Sequence, residues 1–285
     1  MINRVLLLIC LHNALFIATL QASEVEHRSF HSQTLGEEYV YNIYLPDGYQ
    51  DSGLHYSVLY LLHGNLGTEQ SWVGPGHIQA TTDALIDSGA IQPLLIVIPA
   101  DPKFWWADSH GRPAMTALVN DLLADVQDQF RTIEERQGRA IGGYSAGGFG
   151  AANIVLKYPE LFAAAAPLSP AVYTPVPPLD SSATRQDTFL TDGEFDPARW
   201  EALNWVSFID AYKATGIIVP FYINTGDHDR YDIAYHAAVF FKALRDYQPD
   251  YAEFRVFDGD HNFAAWGGTI GLAMQYLSRF LAAPR

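Results

Sequence analysis

Short apolar runs alternate along the chain with longer stretches whose apolar residues recur every third or fourth position. Runs of this kind predict strands buried on both faces, and the periodic stretches predict helices that cover them. Residues 57–62 (SVLYLL) and 94–98 (LLIVI) are two such strands. Before them, Tyr39, Tyr41, Ile43 and Leu45 alternate with Val40, Asn42 and Tyr44 and run into the turn Pro46-Asp47-Gly48, which predicts an early, half-exposed strand. Residues 140–142, 217–223 and 254–257 predict later strands, with Pro220 at a strand start or a bulge. Leu118, Leu122, Val126 and Phe130 form one apolar stripe on a helix that carries Asp121, Asp125 and Asp128. Ile233, Ala237, Phe240, Phe241 and Leu244 form a second stripe, and Ile270, Met274, Leu277 and Leu281 a third. Strands alternating with helices predict an α/β fold with a mostly parallel central sheet and helices on both faces. Residues 168–216 break the pattern with Pro170, Pro175, Pro177, Pro178 and Pro197. They are expected to cross the top of the sheet as a cap-like excursion, because they gather too few apolar residues for a core of their own. Residues 23–285 then form a single domain.

The first residues follow another pattern. Arg4 precedes a stretch that stays apolar to Leu20 except at His12-Asn13, and small Ala22 and Ser23 come before polar Glu24 and Glu26. This predicts a secretory signal over residues 1–22, too short to span a membrane, and so an exported protein without stable membrane insertion. The single cysteine, Cys10, falls within it, so the mature chain has neither a disulfide nor a cysteine-based metal site. Against 17 Lys and Arg stand 32 Asp and Glu, a formal net charge of -15. A surface that acidic repels phosphate backbones and excludes nucleic acid as a partner.

The chemistry centres on Gly143-Tyr144-Ser145-Ala146-Gly147, which fits Gly-x-Ser-x-Gly. With a strand before it and small helical residues after it, this motif predicts a sharp turn that presents a serine hydroxyl at the top of a parallel sheet. Side chains at Gly143 or Gly147 would collide with the neighbouring strand or helix. A serine needs a base to take its proton. His261, in the loop after the last strand, is the candidate. The imidazole in turn needs a carboxylate, which in this fold lies between serine and histidine in the chain. The stretch 226–232 (GDHDRYD) offers three. Asp229 is favoured, Asp227 is second, and Asp232, expected inside the next helix, is third. Asp227, His228, Asp229 and His236 could instead ligate a metal, but no matching cluster stands elsewhere, so no metal and no cofactor is expected. An oxyanion needs two backbone N–H groups. Ala146 supplies one, and Asn65, in the loop His63-Gly64-Asn65-Leu66-Gly67 after a buried strand, supplies the other, while His63 holds the loop by hydrogen bonding. Trp72, Trp105 and Trp106 fall near these loops as candidate substrate-binding residues, able to stack on a sugar or an aromatic acyl group, or else to anchor the loops.

These features in this order resemble the α/β-hydrolase superfamily. More narrowly they resemble the esterase family that includes S-formylglutathione hydrolase (esterase D), feruloyl esterases, enterochelin esterases and the mycolyltransferases. The resemblance covers residues 39–285 and includes Leu62-His63-Gly64 with Trp72 downstream, Pro99 followed by Trp105, Trp106 and Asp108, Arg131-Thr132, and Leu168-Ser169-Pro170. It implies a serine ester hydrolase with Ser145, Asp229 and His261 as triad and Asn65 and Ala146 as oxyanion donors. Export sets the chain apart from cytosolic members that act on glutathione thioesters, and with the tryptophans it points to a small-molecule or glycan-linked ester, feruloyl or acetyl. An acyltransferase would use the same triad, and a non-catalytic binding module would keep the fold without it.

Overall fold

The computed structural model describes residues 22–101, 103–109 and 111–285. The expected signal and Cys10 therefore lie, Ala22 apart, outside the described residues. Eight strands form one sheet: β1 (Glu24–Ser32), β2 (Glu37–Leu45), β3 (Val58–Leu62), β4 (Leu95–Pro99), β5 (Arg139–Tyr144), β6 (Ala164–Leu168), β7 (Phe221–Gly226) and β8 (Ala252–Phe257). Their order is β1-β2-β4-β3-β5-β6-β7-β8. β1 and β2 pair antiparallel, as do β2 and β4, and every other pairing in the sheet is parallel.

Alternation within the strands sorts the core into two faces. Tyr60, Leu62, Leu95 and Val97 join one cluster, and Leu59, Leu61, Ile96 and Ile98 the other. α1 (Ile78–Asp87) and a long C-terminal helix cover the second face through Ile78, Ile270, Met274 and Leu277. Burying each of those large side chains contributes about 1.5–3 kcal/mol. The first face is covered by α2, α3 (Ala146–Lys157) and α6 (Ile233–Arg245). α2 runs from Ala114–Ala117 through a π turn, Leu118–Leu122, into Leu123–Gln129. The strict four-residue spacing of its apolar stripe outruns the α-helical repeat of about 3.6, and the wider π turn takes up the excess. Leu118, Leu122 and Val126 consequently all stay buried.

Three elements differ from expectation. β2 is not half-exposed: Tyr39, Tyr41, Ile43, Tyr44 and Leu45 are all buried, because β1 covers its outer edge and helices cover its faces. Residues 217–219, expected in a strand, stay outside the sheet, while Pro220 marks the strand start as expected, since its missing N–H cannot join the ladder. The excursion after β6 carries α4 (Pro197–Ala202) and α5 (Ile209–Ala214). It is richer in apolar residues than expected, with Tyr173, Phe189, Trp200, Trp205 and Tyr212 buried in the first face's core. It starts at the functional site, where the Ala171 N–H donates to Ser145 O at 3.1 Å.

Candidate active site

β5 ends at Tyr144 and α3 begins at Ala146. Ser145 between them sits at φ 56° and ψ -118°. That region costs a non-glycine residue about 1–3 kcal/mol and persists only where surroundings enforce it. Here the Ser145 N–H donates to Leu168 O at 3.0 Å, and Ser145 O accepts from Phe149 N–H at 2.9 Å. A Cβ on Gly143 would lie 2.7 Å from the Gly147 carbonyl and 2.8 Å from Leu62 Cβ, and one on Gly147 only 2.5 Å from Leu62 O. Both glycines are thus demanded by close approach, as the motif predicts.

The imidazole of His261 lies between two of the predicted partners. Its Nε2 is 2.9 Å from Ser145 Oγ, and its Nδ1 is 2.7 Å from Asp229 Oδ2. An ionised carboxylate only accepts, so Nδ1 carries the proton and Nε2 faces the hydroxyl as acceptor. The Asp229 side chain is fully buried, and its Oδ1 accepts from the Tyr231 N–H at 3.1 Å. Asp227 is exposed and turned away: its Oδ1 accepts from Gly259 N–H at 3.1 Å and lies 2.8 Å from His228 Nδ1. Asp232 stands just before α6 in a left-handed conformation (φ 55°), not inside the helix as expected. The four residues weighed as metal ligands do not converge, since Asp229 faces His261 and His236 Nδ1 accepts from Thr174 N–H.

Two aromatic rings, not anticipated from the sequence, stand against His261. Tyr231 and Trp266 meet it nearly perpendicular, with centroids at 5.0 and 4.9 Å. The next residue, Asn262, caps α7 (Phe263–Ser278) by accepting the Ala265 N–H. An Asn directly before an apolar helical stretch is a helix-start signal that could have located this anchor.

The loop after β3 passes beside the serine. A Cβ on Gly64 would lie 3.2 Å from Ser145 Cβ and 2.4 Å from the Tyr144 ring. Ala146, as the first residue of α3, has no acceptor for its N–H within the helix. His63 is buried with its Nδ1 donating to Gly64 O at 2.7 Å and its Nε2 accepting from the Asp101 N–H at 3.0 Å. One neutral tautomer satisfies both bonds.

Residues 32–274 match the family model described as "Putative esterase". The chain belongs to this esterase family. Esterase Rv1288 of Mycobacterium tuberculosis is 36% identical to it over 144 residues, covering 48% of this chain and 30% of that protein. An endo-1,4-beta-xylanase/feruloyl esterase of Xylanibacter ruminicola is 29% identical over 201 residues, 67% of this chain and 27% of that protein. The chain therefore spans less than a third of the length of these relatives. Among solved structures, a ferulic acid esterase superposes with a TM-score of 0.79 at 25% identity, covering 91% of this chain and 99% of that one. An S-formylglutathione hydrolase from Agrobacterium tumefaciens shares the fold, with a TM-score of 0.73 at 20% identity over 92% of this chain and 96% of the other. The α/β-hydrolase fold expected from the sequence is the fold of this chain.

The three candidate tryptophans anchor loops, the second of the two roles expected of them, and form no stacking platform. Trp72, Trp105 and Trp106 are at most 3% exposed, so none offers a free face for stacking. Their indole N–H groups instead hold the end of β3 and the loop after it: Trp72 donates to Leu62 O at 3.0 Å, Trp106 to His63 O at 2.9 Å and Trp105 to Asn65 Oδ1 at 3.0 Å. A buried indole needs an acceptor, and the end of β3 supplies one and the loop after it two.

Titration of two groups behind that loop has opposite effects on stability. Burial lowers the His63 pKa from 6.5 to about 4. The unfolded chain then binds the extra proton first, so His63 costs the folded state about 3 kcal/mol as pH falls through that window. Burial raises Asp101 from 3.8 to about 6, against the pull of Arg112, whose Nε lies 3.1 Å away. Here the folded chain binds the proton first, which adds about 3 kcal/mol as pH falls from about 6 to 3.8. Asp101→Asn removes only the second effect. Relative to wild type it is expected to lose about 2–3 kcal/mol between pH 7 and pH 4 in urea melts. A difference that does not change with pH would show that Asp101 titrates as an ordinary carboxyl.

Proposed function

We propose that this esterase hydrolyses carboxylic esters outside the cytoplasm through an acyl-enzyme on Ser145, with carbohydrate-linked feruloyl or acetyl esters as substrates. The alignment of Ser145 Oγ, the His261 ring and the Asp229 carboxylate at 2.9 and 2.7 Å carries this reading. His261 Nε2 takes the hydroxyl proton as Oγ bonds to the ester carbonyl carbon, and Asp229 stabilises the imidazolium. The oxyanion lies against the N–H groups of Asn65 and Ala146. His261 then gives the proton to the departing alkoxide, and the cycle repeats with water to release the acid.

Two features support the substrate class. The relatives include proteins named ferulic acid esterase and xylanase/feruloyl esterase. A cleft of about 470 Å³ also opens beside the loop after β3, lined among others by Glu69, Asp101, Phe104 and Arg112. Carboxylates, the Arg112 guanidinium and the rings of Tyr39 and Phe104 suit a hydroxyl-rich leaving group of this size. Glu69 is five residues from Gly64, so the cleft wall lies within about 18 Å of the glycine that passes Ser145. The apolar stretch before Ala22 supports export.

The test is kcat/KM on feruloyl and acetyl sugar esters against glycerol esters with the same acyl groups, with added sugar acceptors and cell fractionation. Preference for the sugar esters, free acid as product and activity outside the cytoplasm are expected. Equal rates would remove the carbohydrate assignment, transferred esters would make the chain an acyltransferase, and activity confined to the cytoplasm would remove export.

A further inference from the structure

We propose that Trp105 is a positioning residue for the oxyanion site: its indole N–H, held on Asn65 Oδ1, fixes the peptide whose N–H receives the oxyanion. This rests on the role given to Asn65 above.

The Gly64–Asn65 peptide is held on its carbonyl side, where Gly64 O accepts from His63 Nδ1 at 2.7 Å and from the Gly67 N–H at 3.0 Å; on the Asn65 side the tether is the side chain. Gly64 before Asn65 must be small to pass Ser145 and Tyr144. Leu66 after it is left-handed (φ 59°), with its side chain 72% exposed to solvent. On that side the Asn65 carboxamide oxygen is the tether, held by Trp105 at 3.0 Å, and it sets the tilt of the peptide about its fixed carbonyl.

Trp105 is itself held in an unusual way. It and Trp106 are consecutive left-handed residues, at φ 53° and 59°. Bulky side chains rarely adopt that region, and it persists only where surroundings over-determine it. The surroundings are α3 and the excursion. The Trp105 ring meets Phe149 of α3 at 5.7 Å, and Phe189 and Trp200 of the excursion at 5.5 and 6.2 Å, all edge-on. Gly150 of α3 leaves room for Trp106, since a Cβ there would lie 2.4 Å from Trp106 Cβ. Both oxyanion donors are thereby referenced to one helix. Ala146 is its first residue, and Asn65 is tied through Trp105 to Phe149 one turn on. The excursion acts here as a buttress for the loop.

Trp105→Phe keeps the ring and deletes the N–H, while Asn65→Ala keeps the backbone N–H and deletes the acceptor. Each is expected to lower kcat for an aryl ester about tenfold or more, with KM changed less than about twofold. Affinity for phenylboronic acid, which forms a tetrahedral adduct on a serine, should fall with kcat, and affinity for the product acid should not. The double variant should be no worse than the worse single one, because both delete one bond. Additive losses, or unchanged kcat and boronic acid affinity, would overturn the proposal. Should Trp105→Phe not fold, an Asn65→Ala enzyme with wild-type kcat overturns it alone. Fluorophosphonate labelling of the wild type separates the two levels: a labelled wild type with unaffected variants defeats only the role of Trp105, whereas an unlabelled wild type defeats the Ser145 reading and this one with it.

Discussion

Ser145→Ala is expected to lower kcat for a short-chain aryl ester by about a millionfold and to abolish fluorophosphonate labelling, with thermal stability nearly unchanged. The size of the loss follows from how the group acts. Deleting Oγ removes the bond-forming atom itself, so His261 and Asp229 have no proton to relay. What survives is binding and the two backbone N–H groups, worth about 10³–10⁴ over water. The small stability effect follows from the elbow. Alanine keeps a Cβ at φ 56°, so the backbone cost is the same in both proteins. The three backbone hydrogen bonds of residue 145, to Leu168, Phe149 and Ala171, do not involve the hydroxyl. Wild-type rates in the purified variant would remove Ser145 as nucleophile. A large fall in thermal midpoint would show that the hydroxyl mainly holds the turn.

The residues that form this arrangement were legible because chemistry restricts their types and the fold restricts their order. A serine between two glycines, a carboxylate loop after β7 and a histidine after β8 each follow a strand end, where an α/β sheet places its loops. The apolar strands β3 and β4 were legible for a similar reason, since burial on both faces leaves few alternatives. β1 was not. As an edge strand it mixes Glu24, Glu26, His27 and Arg28 with Val25 and Phe30, and edge strands are kept polar to prevent unwanted pairing. β6 reads Ala-Ala-Ala-Pro-Leu, the opposite of a strand signature, yet it is buried throughout. Its small side chains suit a strand flanked by two others and packed under α3, a tertiary demand with no local trace. The tryptophans stayed ambiguous for a different reason. Large aromatic residues near loop segments fit a binding platform and a buried brace equally well, and what separates them is where the indole N–H finds its acceptor.

Asp229→Asn is expected to cost about 10⁴ in kcat, and Asp227→Asn less than about twofold, although the two stand two residues apart in one loop. Asparagine at 229 fits the same space, but its amide can donate to Nδ1, which leaves the ring proton on Nε2. His261 would then face Ser145 as a donor and could not take its proton. Burial amplifies the effect: the Asp229 side chain is fully buried, so water cannot substitute for the missing charge when the imidazolium forms. Asp227 differs on each point. It is exposed, its neighbour His228 is exposed, and an asparagine oxygen there still accepts from the Gly259 N–H. A charge in solvent is screened, so its loss reaches the site weakly. Rates for both variants at saturating aryl ester decide the matter. The reverse ranking would mean that the loop rearranges in the working enzyme and brings Asp227 to the imidazole. Equal, small losses would mean that no carboxylate orients His261 during turnover, and the proton relay would then rest on the histidine alone.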